Sequence, residues 1–82
     1  MKLKRPIRLR LTDSMGNVSF LEKTLSGHIL YSGAAGTPFA LSNIANNNAV
    51  MLRYRMEDAR TAEEAWRAAR ELACFAQKVE II

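Results

Sequence analysis

The sequence has very few of the side chains on which metal binding and covalent chemistry usually depend. Its 82 residues include one cysteine, Cys74, and one histidine, His28. A single cysteine excludes an internal disulfide, and this Cys–His pair, far apart in sequence, makes no recognisable metal-ligand pattern. No apolar run approaches the roughly 20 residues that a bilayer span needs, and none follows the basic amino terminus as in a signal peptide. We expect a cytoplasmic protein with no metal, no cofactor and no membrane partner.

Candidate catalytic groups are equally scarce. Cys74 and His28 are the only obvious nucleophile and base, and for Cys74 a tolerated surface cysteine is favoured over a reactive thiol. The acidic pairs Glu57–Asp58 and Glu63–Glu64 flank or fill the start of a predicted helix, where the helix dipole favours carboxylates without any catalytic role. We therefore predict that the chain is not an enzyme.

The length allows one small domain. A chain of this size buries only about 60–65% of the surface that it would expose when unfolded, so its core is thin. The composition is that of an ordinary globular protein, with no low-complexity tract. We predict a single α+β domain over residues 1–82.

Residues 2–12 alternate with a period of two, which is typical of a half-buried strand. The apolar side comprises Leu3, Ile7, Leu9 and Leu11, and the polar side comprises Lys2, Lys4, Arg8, Arg10 and Thr12. The segment Asp13–Asn17 has turn chemistry, with Gly16 and Asn17 suited to positive φ. A strand followed by a tight turn usually returns as a hairpin.

The interpretation of residues 18–26 is open between a hairpin strand and a helix. A strand through about Lys23 is favoured, although Ser19, Glu22 and Gly27 also fit a capped helix. Residues 28–32 are a short predicted strand. The next segment, 33–36, is predicted to be a loop, with a glycine-rich anion site as the less favoured alternative. Thr37-Pro38 predicts a short helix start, and Asn46–Asn48 predicts a turn.

Two later segments complete the predicted fold. Residues 49–56 alternate and are read as a strand, with Val50, Leu52, Tyr54 and Met56 on its apolar side. Thr61–Glu64 is a capping box that opens an amphipathic helix over residues 62–78. We predict a three- to four-stranded, mainly antiparallel sheet with this one long C-terminal helix packed on one face. Residues 79–82 are either a final strand or an apolar tail.

Positive charge is concentrated on the strands. If the helix covers the apolar side of the sheet, the opposite side presents a basic face. Its predicted partner-binding residues are Lys4, Arg8, Arg10, Arg53 and Arg55. Arginine on a rigid strand suits phosphate or carboxylate recognition. The alternative is a merely solvated face, and the predicted set has no aromatic side chain to stack on a base.

We therefore expect a non-enzymatic binding module whose basic sheet face docks nucleic acid or an acidic protein surface. In size and compactness the chain resembles phage- and mobile-element-encoded inhibitors such as the anti-CRISPR proteins. That resemblance implies an inhibitor or adaptor acting by protein–protein contact and assigns no residue a role. A third hypothesis is a homo-oligomer, such as a homodimer, that uses Ile81, Ile82 and a free strand edge.

Overall fold

A computed structural model describes residues 4–36 and 47–82 of the chain. Within these ranges the chain forms four strands and two helices. In chain order they are β1 Ile7–Asp13, β2 Val18–Lys23, β3 Ile29–Gly33, α1 Asn47–Asp58, α2 Ala62–Leu72 and β4 Ala76–Ile81. Leu3, Lys2 and the helix start predicted at Thr37-Pro38 lie outside the described residues.

The strands form one antiparallel sheet in the order β3-β2-β1-β4. The predicted alternation of β1 is confirmed, since Ile7, Leu9 and Leu11 are buried on one face. The favoured hairpin interpretation of residues 18–23 and the short strand near residue 30 are also confirmed. In the turn between β1 and β2, Gly16 takes positive φ and Asn17 does not.

Both helices lie on the same face of the sheet. The predicted α+β architecture is thus confirmed, but the prediction of one long C-terminal helix is wrong. The segment 49–56 was expected to be a strand and belongs to α1 instead. Its buried residues, Ala49, Leu52 and Met56, are spaced by three and four, which places them on one helical face.

The second helix begins where predicted and ends earlier. Thr61 is its N-cap and accepts a hydrogen bond from the Glu64 N–H at 3.1 Å. The helix stops at Leu72, not at residue 78, because residues 76–81 pair with β1 as strand β4. Pairing with the sheet outweighs the helical propensity of this alanine-rich segment. The suggestion of a final strand is therefore confirmed and extended.

The core lies between the sheet and the two helices. Leu9, Leu11 and Leu21 from the strands meet Leu52 and Met56 from α1, and all five are fully buried. The α2 residues of the core are alanines: Ala65, Ala68 and Ala69. These small side chains let the helix axis approach the sheet closely. Neither α1 nor α2 has the length and hydrophobicity that crossing a bilayer requires.

The loop after β3 is anchored to the core. The carbonyl of Ala35 accepts hydrogen bonds from the Ser19 and Tyr31 hydroxyls, each at 2.7 Å. Gly36 is buried with φ +73°, and a Cβ there would lie 2.5 Å from the ring of Phe75. Glycine is therefore required by the backbone conformation and by the neighbouring ring.

A buried lysine joins the sheet to the end of α1. Lys23 is the last residue of β2, is 3% exposed and turns its ammonium group inward. Its Nζ donates to the carbonyls of Glu57 at 2.7 Å and Ala59 at 2.8 Å. Carbonyls at a helix C-terminus lack partners within the helix, and the helix dipole favours a cation there. Lys23 thus satisfies the end of α1 and fixes it against the sheet.

We expect Gly36→Ala to lower the free energy of unfolding more than Gly27→Ala does. Both glycines have positive φ, but nothing lies within 4 Å of a Cβ at Gly27. In the Gly27→Ala control, the free energy of unfolding should therefore fall only by the cost of positive φ at alanine, about 1–2 kcal/mol. The Gly36 variant should lose a further 1–3 kcal/mol, roughly, because the Phe75 ring must move. Urea denaturation measures both, and equal losses would contradict the packing of this loop.

We also expect Lys23→Met to destabilise the fold by about 1–3 kcal/mol, because it leaves two buried carbonyls without their donor. Methionine keeps most of the apolar stem, so the change isolates the ammonium group. Lys4→Met is the matched control, since Lys4 is exposed. Chemical denaturation of both variants gives the comparison. The same stability for the two would mean that Lys23 does not hold α1 in place.

Candidate binding surface

One face of the sheet carries no helix within the described residues, and we call it the open face. Because side chains alternate along a strand, the open face takes the residues between the buried ones. They are Leu30 and Ser32 of β3, Val18, Phe20 and Glu22 of β2, Arg8, Arg10 and Thr12 of β1, and Lys78 and Glu80 of β4, with Ile82 beside Arg8.

The centre of the open face is a row of four side chains that crosses all four strands. Phe20 stands opposite Ser32 on one side and Arg10 on the other, and Arg10 stands opposite Glu80. The Arg10 Nε donates to Glu80 Oε1 at 3.0 Å. Lys78 Nζ lies 3.5 Å from Glu80 Oε2. One carboxylate is therefore shared by two cations of the face.

The neighbouring row also has a charged pair at its centre, with an apolar side chain at each end. Arg8 faces Glu22, and their closest atoms, Nε and Oε2, are 3.9 Å apart. Leu30 lies beyond Glu22 on β3, and the Ile82 N–H donates to the Arg8 carbonyl at 3.0 Å. Arg10 is held by its hydrogen bond to Glu80, whereas Arg8 only lies near Glu22, so the orientation of Arg10 alone is set before a partner arrives.

Exposed apolar side chains lie beside the charged pairs. Phe20 is 37% exposed, Leu30 50% and Ile82 47%. The sequence indicated no aromatic on the binding face, because the orientation of residues 18–23 was not fixed. Phe20 is therefore a residue of the open face that the sequence analysis missed. Its place directly opposite Arg10 could have been found only from the hairpin register.

The Arg10–Glu80 contact perturbs both groups. The hydrogen bond and the charge of the carboxylate raise the pKa of Arg10. The hydrogen bond from Arg10 is the largest cause of a lowered pKa at Glu80, against a smaller opposing effect of desolvation. The Arg10 and Lys78 charges lower it further. Both shifts favour the ionised pair at neutral pH.

The predicted basic face is only partly formed. Arg8 and Arg10 project from the open face, and Lys4 is exposed just before β1. Arg53 and Arg55 lie on α1, in the layer that covers the opposite side of the sheet. The prediction that they share one sheet face with Arg8 and Arg10 is wrong, because it required residues 49–56 to be a strand. Partner binding by these five residues stays a prediction.

Arg55 belongs to a different feature, a cleft of about 250 Å³ between the end of α1 and the start of α2. Its lining also includes Asp58, Glu64 and Arg67. Arg55 Nη1 binds Glu71 Oε2 at 2.9 Å, and Arg67 Nη2 binds Glu63 Oε1 at 2.6 Å. The acids in and around this cleft outnumber the two arginines, so the cleft does not favour an anion.

The remaining candidates from the sequence do not come together as a site. Cys74 is exposed after α2, where its Sγ accepts from Asn48 Nδ2 at 3.2 Å. His28 is exposed in the turn between β2 and β3 and bonds the Ser26 hydroxyl. No group of three or more His, Cys, Asp or Glu side chains in the described part of the chain could hold a metal ion.

Comparison with known proteins gives no relative for this chain. No protein-family model matches it, and neither does any curated protein or solved structure. The function must therefore be argued from the open face and the elements that build it.

We expect Arg10→Gln to raise the pKa of Glu80 back towards its ordinary value, since the variant removes the strongest cause of the shift. A lowered pKa in the folded chain means that the ionised carboxylate stabilises the fold at pH values above its unfolded pKa. That contribution is lost as the pH falls through the folded pKa. Carboxyl-carbon NMR of Glu80 during an acid titration measures it. Arg53→Gln, on the opposite layer, is the control and should leave Glu80 unchanged.

Proposed function

We propose that this chain is a non-enzymatic binding module that docks an acidic protein surface on its open face. The observation that carries the proposal is the central row, in which the exposed ring of Phe20 lies beside a pre-oriented Arg10. Aromatic and arginine side chains dominate the energetic centres of protein interfaces. Leu30 and Ile82 extend the apolar area around that centre.

The charge of the open face favours a protein over nucleic acid. Three cations, Arg8, Arg10 and Lys78, are opposed by two acids, Glu22 and Glu80, so 3 − 2 leaves a net charge of +1. Both acids would stand close to any phosphate backbone laid across the sheet, and like charges repel. A protein partner can place a carboxylate near the arginines and apolar groups elsewhere. An inhibitor and an adaptor would both use such a surface.

The arginines suit carboxylate recognition for a further reason. Each uses its Nε towards the acid on the next strand. The guanidinium group carries five N–H donors, so donors at the terminal nitrogens remain for a partner's carboxylate. Because the hydrogen bond to Glu80 already restricts the Arg10 side chain, less rotamer entropy is lost there when a partner binds.

The test is differential capture by the purified chain from a nuclease-treated lysate of the organism that encodes it. We expect a captured protein to be lost or weakened by about 30-fold or more with Phe20→Ser and with Arg10→Ala, as for an interface hot spot. Tyr54→Ser on α1 is the matched control, because Tyr54 is an exposed aromatic on the helical layer. It should capture the same protein as the parent chain.

A second measurement distinguishes a nucleic-acid partner from a protein partner. Fluorescence anisotropy with single-stranded DNA and RNA at 50 and 200 mM salt, approximately, reports the phosphate contribution to affinity. We expect only weak, sequence-independent binding. Tight binding that falls steeply with salt and is lost with Arg8→Ala and Arg10→Ala would show that the partner is nucleic acid and not a protein. Capture that is unchanged by Phe20→Ser would place the interface elsewhere on the chain.

A further inference from the structure

The outer edge of β4 offers backbone groups that no described strand uses. Among the described strands, β4 stands at an edge of the sheet and pairs with β1 alone. The Ile82 N–H donates to the Arg8 carbonyl, which shows which residues of β4 direct their backbone groups towards β1. In an antiparallel pair, backbone groups point alternately towards and away from the neighbour. Those of Val79 and Ile81 therefore point away from β1, towards the edge.

The side chains along this edge are complementary to themselves. If a second copy of β4 pairs antiparallel with Val79 opposite Val79 of the partner subunit, Lys78 stands opposite Glu80 of the partner subunit. The two-fold axis repeats the same contact in the reverse direction. The adjacent registers that use the same backbone groups place Lys78 opposite Lys78 or Glu80 opposite Glu80. Opposite charges across a strand pair stabilise it and like charges destabilise it, so the register centred on Val79 is favoured over these two neighbours.

Trp66 contacts the edge of β4 from one side and leaves room for a partner strand to pair with that edge. Its Nε1 donates to the Val79 carbonyl at 2.8 Å, and Arg70 stacks on its ring at 5.0 Å. The ring extends from α2 and therefore meets the edge from the helical side. A carbonyl oxygen has two lone pairs, so the Val79 carbonyl can accept one more bond in the plane of the sheet. Two Trp66 rings would then flank the Val79 pair and cover the half-exposed Ile81.

We propose that this chain forms a two-fold dimer through antiparallel β4–β4 pairing centred on Val79. The two sheets become one continuous sheet, and both open faces look towards the same side. This arrangement is independent of the proposed docking function. If that function holds, the dimer presents two docking faces to a bivalent partner, which raises avidity without new contacts.

Charge reversal across the axis tests the register. Lys78→Glu and Glu80→Lys each place like charges opposite one another twice, so each should weaken dimerisation by about tenfold or more. The double swap should restore the parent affinity. An equimolar mixture of the two single variants should form a heterodimer, because its cross-strand pairs are again opposite in charge. The exposed Glu63→Lys on α2 is the control and should dimerise like the parent chain.

Analytical ultracentrifugation from about 5 µM to 1 mM covers the range expected of an interface smaller than about 1,200 Å². Far-UV circular dichroism checks that each variant is folded, and the heterodimer rescue separates lost pairing from lost stability. A parent chain that stays monomeric to the highest concentration overturns the proposal. So does a dimer that neither single reversal weakens or that the mixture of variants fails to restore. These outcomes leave the capture experiment with Phe20→Ser unaffected.

Discussion

The pairing of β4 with β1 is the contact on which the remaining architecture depends. It joins segments about 70 residues apart, as the Arg10–Glu80 contact shows. Closing so long a loop costs conformational entropy before any contact repays it. The return comes from burying Leu9 and Leu11 in a strand that has neighbours on both sides. Without β4, strand β1 would be an edge strand and α2 would lose one of the two strands against which it packs.

That pairing also decides where function can reside. Only residues 73–75 separate α2 from β4, and α2 packs into the same core as α1, on the same face of the sheet. The opposite face is left to side chains from all four strands, which no local segment of sequence contains together. Arg10 meets Phe20 from one neighbour and Glu80 from the other. The open face is thus a product of strand order rather than of any motif.

The order of the strands could not be predicted from the sequence alone. Alternation located β1, and turn chemistry located the hairpin, since both are local signals. Residues 49–56 satisfied two periods at once: the apolar set Val50, Leu52, Tyr54 and Met56 alternates, but the buried set follows the helical spacing. The assignment of Tyr54 to the core was wrong, because it is 58% exposed. The end of α2 was likewise set by a non-local effect, because the pairing of β4 with β1 stops the helix at Leu72, before the end that the alanine pattern predicted.

The acids of the open face explain why charge counting alone misjudged it. Arg8 and Arg10 were predicted to belong to a basic face, but β2 and β4 bring Glu22 and Glu80 beside them. Each pair reduces the long-range attraction for a polyanion, and the hydrogen bond from Arg10 to Glu80 also orients the Arg10 guanidinium group. A surface of this kind selects by the position of a partner's carboxylates relative to Phe20 more than by total charge. Discrimination would then rest on geometry, which a folded protein surface supplies and a flexible single strand does not.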